Sequence, residues 1–203
     1  MKKTLLLTAL LMVSTVFAFG RGNNEVQLGG TVGTMYGLDF KVKHKHLAFI
    51  ADLGVNLFSS PASLDGSKYK LDAFTIELNP NLAYQGLAKD FSALSLDWYI
   101  GAGVSGGVLK SIKVIDNDDW GDFLGDTKFD WDVKWGANVV AGIDLNLKKI
   151  PLTLSFDFRP GYGLIIHTEE FEEDFGIGNV SGVSTTLGQY FDWKLVAGIR
   201  YRF

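Results

Sequence analysis

From Asp130 to Leu147 the chain alternates between two kinds of residue with almost no break. Trp131, Val133, Trp135, Ala137, Val139, Ala141, Ile143, Leu145 and Leu147 form one series. Asp132, Lys134, Gly136, Asn138, Gly142, Asp144 and Asn146 form the other, and only Val140 is out of place. Side chains of a strand point alternately to opposite faces, so this is a strand with one apolar and one polar face. It is far longer than the strand of about 5–6 residues usual in soluble domains.

The pattern recurs. Leu152, Leu154, Phe156, Phe158, Tyr162 and Leu164 oppose Thr153, Ser155, Asp157, Arg159, Gly161 and Gly163. Comparable series run from Leu47 to Leu57, from Phe74 to Tyr84 and from Leu94 to Val108. Such lengths suit strands that cross a bilayer, which need about 9–11 residues. The reading predicts eight strands near 25–34, 37–44, 46–58, 70–84, 92–110, 130–147, 152–166 and 189–203. The first two require a tight reversal at Met35-Tyr36. Without it the count is seven, which closed bacterial barrels avoid. Short turns are expected at His44-Lys45, at 85–91 and at 148–151, and long polar loops at 59–69, 111–129 and 167–188. Short and long connections alternate, so the long loops emerge at one end.

Alternation alone does not say which face is outside. Eight strands enclose an interior just wide enough for side chains. Packing Trp98, Trp131, Trp135, Phe156, Phe158 and Trp193 inside would overfill it, whereas the glycine-rich charged series fits. Trp131, Trp135 and Tyr162 toward the loops, and Tyr84 toward the turns, read as aromatic girdles at the membrane interfaces. The expected fold class is all-β: an eight-stranded antiparallel up-and-down transmembrane β-barrel.

The N-terminus reads as a cleaved signal peptide over residues 1–18, leaving the barrel at 19–203. Lys2 and Lys3 precede an apolar run from Leu5 to Phe17, and Val16-Phe17-Ala18 supplies a small residue for cleavage. The run is shorter than the ~20 residues of a membrane-spanning helix. The absence of cysteine excludes disulfides, thiolate metal sites and a cysteine nucleophile. A formal net charge of −4, without a basic stretch, argues against nucleic acid as a partner.

The final strand, Phe191-Asp-Trp-Lys-Leu-Val-Ala-Gly-Ile-Arg-Tyr-Arg-Phe203, ends on a terminal phenylalanine. With Trp193, Tyr201 and Phe203 it resembles the C-terminal signal read by the barrel-assembly machinery. Tyr36-Gly-Leu-Asp-Phe-Lys-Val, Trp98-Tyr-Ile-Gly-Ala-Gly and Leu154-Ser-Phe-Asp-Phe-Arg-Pro160 also resemble the small eight-stranded bacterial outer-membrane β-barrel domain family. That resemblance implies a Gram-negative outer-membrane location and a porin-like architecture in the cell envelope. It also implies lipopolysaccharide and outer-membrane lipid as surroundings, and periplasmic chaperones and the assembly machinery as partners. Members include adhesins, channels for small hydrophobic molecules, structural proteins and a few lipid-modifying enzymes, so fold does not fix activity.

The polar series places Asp39, Asp52, Glu77, Asp97, Asp132, Asp144 and Asp157 inside, beside Lys41, Lys134, Arg159, Lys194 and Arg200. The alternatives are a polar conduit and an ionic plug, and near-balance of charge in so narrow a barrel favours the plug. The acidic stretches at 116–126 and 169–174 leave calcium binding or simple solvation open. Trp120, Phe123, Leu124, Phe171 and Phe175, set among those acids, suggest contact with an external ligand, an envelope partner or a host surface. Gly101-Ala-Gly103-Val-Ser-Gly106 has the G-x-G-x-x-G spelling but lies within a strand, so no nucleotide or other cofactor is expected. His44 and His46 read as turn residues. His167 is the one histidine placed for chemistry, with Ser181 or Ser184 as conceivable partners. The expectation is a non-enzymatic barrel. A narrow channel with lateral exit near Pro160 is the alternative, and a lipid-modifying enzyme a remote one.

Overall fold

A computed structural model describes residues 24–64, 67–116, 132–174 and 179–203. The signal segment and Trp131 lie outside the described residues. Eight strands follow in order: β1 (Asn24–Gly33), β2 (Met35–His44), β3 (Leu47–Leu64), β4 (Ser67–Asp90), β5 (Leu94–Asp116), β6 (Asp132–Leu147), β7 (Leu152–Asp174) and β8 (Asn179–Arg202). Each pairs antiparallel with the next, and β8 returns to β1, closing the ring. Closure leaves no sheet edge around the barrel wall, the condition a strand protein must meet in lipid.

The first reversal differs by two residues from the sequence expectation. It occurs at Gly33-Thr34, where Gly33 takes φ +137°, a conformation that favours glycine. Met35 already belongs to β2 and is fully buried, while Tyr36 points outward. The long polar segments differ more. Most of 59–69, 111–116 and 167–188 is strand rather than loop, and β4, β5, β7 and β8 each have 23 or 24 residues. At ~3.3 Å per residue such a strand is roughly 80 Å long, well beyond an apolar band ~25 Å tall. The β7–β8 ladder runs unbroken from Leu152↔Tyr201 to Asp174↔Asn179. Outside lipid, both faces of a strand are wet and alternation is no longer required, so the pattern fades while the ladder continues.

β1 and β2 are short, with 10 residues each. Above their hairpin β3 and β8 meet directly, pairing Ala62↔Tyr190 through Leu64↔Gly188. Between these levels Thr34 caps the wall: its N–H donates to the Leu195 carbonyl at 3.0 Å, and its hydroxyl accepts from the Leu195 N–H at 3.1 Å. Two further discontinuities sit at prolines. The β4–β5 register lapses between Leu78↔Gly106 and Asn81↔Gly103, at Pro80. The β6–β7 register lapses between Asn138↔Gly161 and Ala141↔Phe158, at Pro160. A residue with no N–H cannot donate to a ladder, which accounts for both lapses.

The faces are those of a protein turned inside out relative to a soluble barrel. Leu38, Leu53, Leu82, Ile100, Phe156, Phe158, Leu195 and Ile199 are all exposed on the outer wall, and the buried interior is dominated by Asp, Asn, Lys and Arg. Trp193, Tyr162 and Trp135 lie 9, 10 and 12 residues above the turn ends of β8, β7 and β6. With a strand tilt of ~40° that is roughly 23–30 Å along the axis. Tyr84, Trp98, Tyr201 and Phe203 ring the turn end, with Tyr84 packed on both Trp98 and His46. An apolar belt between two aromatic rings is the surface a bilayer requires, and the fold is a transmembrane β-barrel.

Candidate functional site

The interior charges fall into two layers. The turn-side layer lies within the apolar belt. There Arg200, on β8, donates through Nε to Asp39 on β2 and through Nη1 to Asp144 on β6 at 3.0 Å. Its Nη2 stands 4.0 Å from Asp157 on β7. Arg159, on β7, bridges Asp157 on its own strand to Asp52 on β3. Lys41 completes the group, 2.6 Å from Asp144 and with its ammonium 4.0 Å from the centre of the Tyr99 ring. Asp39 and Asp52 are register partners on adjacent strands, so two carboxylates face one another and each takes its own arginine. Nearer the turns, Asp97 accepts from Lys43 at 3.0 Å, Gln85 at 2.8 Å and Asn146 at 3.3 Å. Among the described residues this layer holds five carboxylates and four cations, all but Lys43 nearly inaccessible to water.

The loop-side layer is simpler. Lys134 from β6 and Lys194 from β8 each contact both Glu77 on β4 and Asp192 on β8, at 2.7–3.2 Å. Asn56 donates to Glu77 at 3.4 Å, and the Lys134 ammonium lies 4.6 Å from the Tyr190 ring centre. Lys134 and Trp135 are neighbours, as are Asp192, Trp193 and Lys194, so this layer sits at the depth of the upper aromatic ring. Asn79, Asn81 and Asn138 occupy the space between layers, with Asn138 donating to Asn81 at 2.6 Å.

Two tyrosines fit inside because glycines make room. Tyr99 pairs across the ladder with Gly142, where an added Cβ would lie within 2.6 Å of the phenol carbon and oxygen. Tyr190 pairs with Gly163 and also lies against Gly136; a Cβ at either would fall within 2.7 Å of its hydroxyl. Tyr99 belongs to the one apolar cluster inside the described barrel, with Ala48, Ile50, Ala83 and Val140. That cluster explains the irregular Val140: it packs inward with other small apolar groups instead of facing lipid.

Of the candidate interior residues, Asp39, Lys41, Asp52, Asp97, Asp144, Asp157, Arg159 and Arg200 lie in the turn-side layer, and Glu77, Lys134 and Lys194 in the loop-side layer. Asp132 stands apart at the mouth, where its carboxylate pairs with His167 Nδ1 at 2.6 Å. Sequence reasoning missed Asp192 and Lys43, although Asp192 shares its face with Lys194, and Lys43 continues the series Asp39, Lys41. Tyr99 falls in the polar series of its strand with Ser95 and Asp97, and the structure places it inside accordingly; what was not legible for Tyr99 or Tyr190 is the glycine partner that makes room for the ring. The side chains of Ser181 and Ser184, and those of the acidic stretches 116–126 and 169–174, lie outside the described residues. Among the described residues no group of three or more acidic or histidine side chains is arranged to hold a metal.

The girdle and terminal residues face outward. Trp135, Tyr162, Trp193, Tyr84, Tyr201 and Phe203 are all exposed. Phe203 donates its N–H to the Val26 carbonyl at 2.9 Å, and its ring packs edge-on to Tyr201 at 5.0 Å.

No family model matches the chain, and no curated protein matches it. Two solved structures are similar in outline. One is a major outer membrane protein from Thermus thermophilus, with 13% identity and a TM-score of 0.44, covering 90% of this chain and all of that one. The other is the outer membrane protease OmpT from Escherichia coli, with 11% identity and a TM-score of 0.36, covering 90% of this chain and 98% of that one. At this distance neither likeness bears on any residue of the interior.

Proposed function

We propose that the chain is an integral outer-membrane β-barrel of the Gram-negative type, non-enzymatic, whose interior is an ionic plug and whose acidic, aromatic loops contact partners outside. The observation that carries the plug is the turn-side layer: Asp39, Lys41, Asp52, Asp144 and Arg200 are all 0% exposed inside the belt. Charges held this way are immobile, because separating one from its partners strands a buried ion at a cost of about 3–5 kcal/mol. Ions crossing the barrel would have to break both layers. The barrel serves as a rigid anchor, and its work falls to the extended strands and the loops they carry.

The test is conductance in planar bilayers or liposomes, on protein whose closed fold is verified by a gel-mobility shift on boiling. A boiling shift with no single-channel conductance supports the plug. Steady conductance from the wild-type barrel sinks it.

A second reading, a narrow route for small apolar molecules leaving through the wall, is supported by the lapses at Pro80 and Pro160 and by the low β1–β2 hairpin. It requires uptake of such a molecule to change when Pro160 is replaced, with the boiling shift retained. The remote enzymatic reading rests on His167 and Asp132, and His167→Ala would abolish any lipid modification it performs.

A further inference from the structure

The two ionic layers are not equally balanced. In the loop-side layer two cations, Lys134 and Lys194, meet two acids, Glu77 and Asp192. In the turn-side layer Lys41, Arg159 and Arg200 meet Asp39, Asp52, Asp144 and Asp157, which is one acid too many. Groups nearer the turns do not correct the sum, since Lys43 pairs with Asp97, and Glu25 accompanies Arg202 at the mouth. Every side chain of the deep group is at most 2% exposed. A net charge enclosed in this way is costly unless something neutralises it.

Register shows where the excess lies. At one level the wall runs Arg200 on β8, Gly29 on β1, Asp39 on β2, Asp52 on β3 and Asn79 on β4, each the cross-strand partner of the next. Gly29 has no side chain, so the Arg200 guanidinium reaches past it to Asp39 Oδ2. Asp52 Oδ2 takes Arg159. The other oxygens, Asp39 Oδ1 and Asp52 Oδ1, have no hydrogen-bond partner among the described residues, and neither has Asn79 Oδ1. Asn79 turns its Nδ2 to Met35 Sδ at 3.5 Å. Three buried acceptors thus stand on adjacent strands with no donor supplied to them. Side chains directly opposite one another lie about 5 Å apart, where like charges repel.

The remaining acids are better supplied. Asp144 accepts from Lys41, Arg200 and Gln85. Asp157 has Arg159, with Arg200 Nη2 at 4.0 Å, and lies beside the Tyr99 hydroxyl over Gly142. From β1 and β4 the pair meets only Gly29 and Asn79 at its own level, so those strands bring it no charge. The spare N–H groups of the layer, Arg159 Nε and Arg200 Nη2, can add hydrogen bonds but no charge.

We propose that the turn-side layer binds one proton, held on Asp52 Oδ1 and directed at the Asp39 or Asn79 oxygen beside it. A protonated carboxyl donates where an ionised one only accepts, so one proton supplies the missing donor and cancels the excess charge. Two carboxylates sharing a site hold a proton between them for this reason. A metal ion would need room, and an eight-stranded interior is filled by its own side chains. The barrel takes the proton from solvent as it folds. The proposal rests on the membrane-barrel reading above, which fails separately if the wild-type chain shows no boiling shift.

The test is infrared spectroscopy of the barrel in lipid vesicles at neutral pH, on protein that shows the boiling shift. We expect the carbonyl stretch of one protonated carboxyl in the wild type and its loss in Asp52→Asn, whose amide replaces the neutral acid at equal size. Urea unfolding gives a second reading. Folding takes up a proton at this site in the wild type and none in Asp52→Asn. The ratio of the wild-type to the variant folding constant should therefore fall about tenfold per pH unit between roughly pH 5 and 8. Asp39→Asn, which also removes the excess charge, is read in the same way should Asp52→Asn lack the boiling shift. No carboxyl band in the wild type, or a band that survives in the variant, would overturn the proposal, as would a ratio independent of pH. A missing band with stability that rises in sodium but not in choline, at constant ionic strength, would replace the proton by a metal ion.

Discussion

The two ionic layers solve one problem at two depths. The turn-side layer, inside the lipid belt, uses two arginines, each reaching more than one carboxylate from different strands. The loop-side layer, at the upper aromatic ring, makes do with two lysines and two acids. A guanidinium offers five donors in a rigid fork and stays charged, so it can join three or four strands through one side chain. An ammonium is a compact point charge, adequate where both lysines share the same two acids. The deeper layer is therefore built of partners that cannot be replaced singly, and the shallower one contains redundancy.

That difference predicts unequal costs. Arg200→Leu leaves Asp39 without its arginine and removes one of two cations from Asp144. The expected loss is about 3–5 kcal/mol, read as a fall in the urea midpoint of the barrel in lipid vesicles. Lys194→Leu leaves Lys134 in contact with both Glu77 and Asp192, and should cost roughly 1–3 kcal/mol in the same assay. Equal losses would erase the distinction between the layers. The glycine–tyrosine contacts sharpen it: Gly142→Ala should cost about 1–3 kcal/mol by displacing Tyr99, and Tyr99→Leu in the same chain should recover part of that. The smallest effect belongs to the outer wall, where Trp193→Leu keeps an apolar surface and should shift stability by no more than about 1 kcal/mol.

The belt was legible in the sequence because lipid outside and polar packing inside force opposite chemistries on alternate residues. This is why the strand order, the outward face and most interior charges follow from residues such as Trp131 to Leu147 alone. The upper strands were not legible. His167-Thr-Glu-Glu-Phe-Glu-Glu-Asp174 has no alternation to read, yet it is held as strand by pairing with 179–186. The partners of each charge were also hidden. Arg159 meets Asp52 across 107 positions of sequence and Arg200 meets Asp39 across 161, distances that only closure of the ring brings together. The glycine partners of Tyr99 and Tyr190 were hidden for a related reason: a large residue inside depends on glycine in a neighbouring strand, and register supplies that neighbour.

The low β1–β2 hairpin has a consequence for how the ring is made. The seam between the first and last strands holds seven paired positions, against twenty-three in the ladder between β7 and β8. A hairpin such as β7–β8 forms from adjacent chain, whereas the seam waits until both ends of the protein are in place. The cylinder thus has a built-in order: long neighbouring ribbons first, a brief zipper last. Its amides along β1 are the ones to exchange earliest when the finished wall breathes.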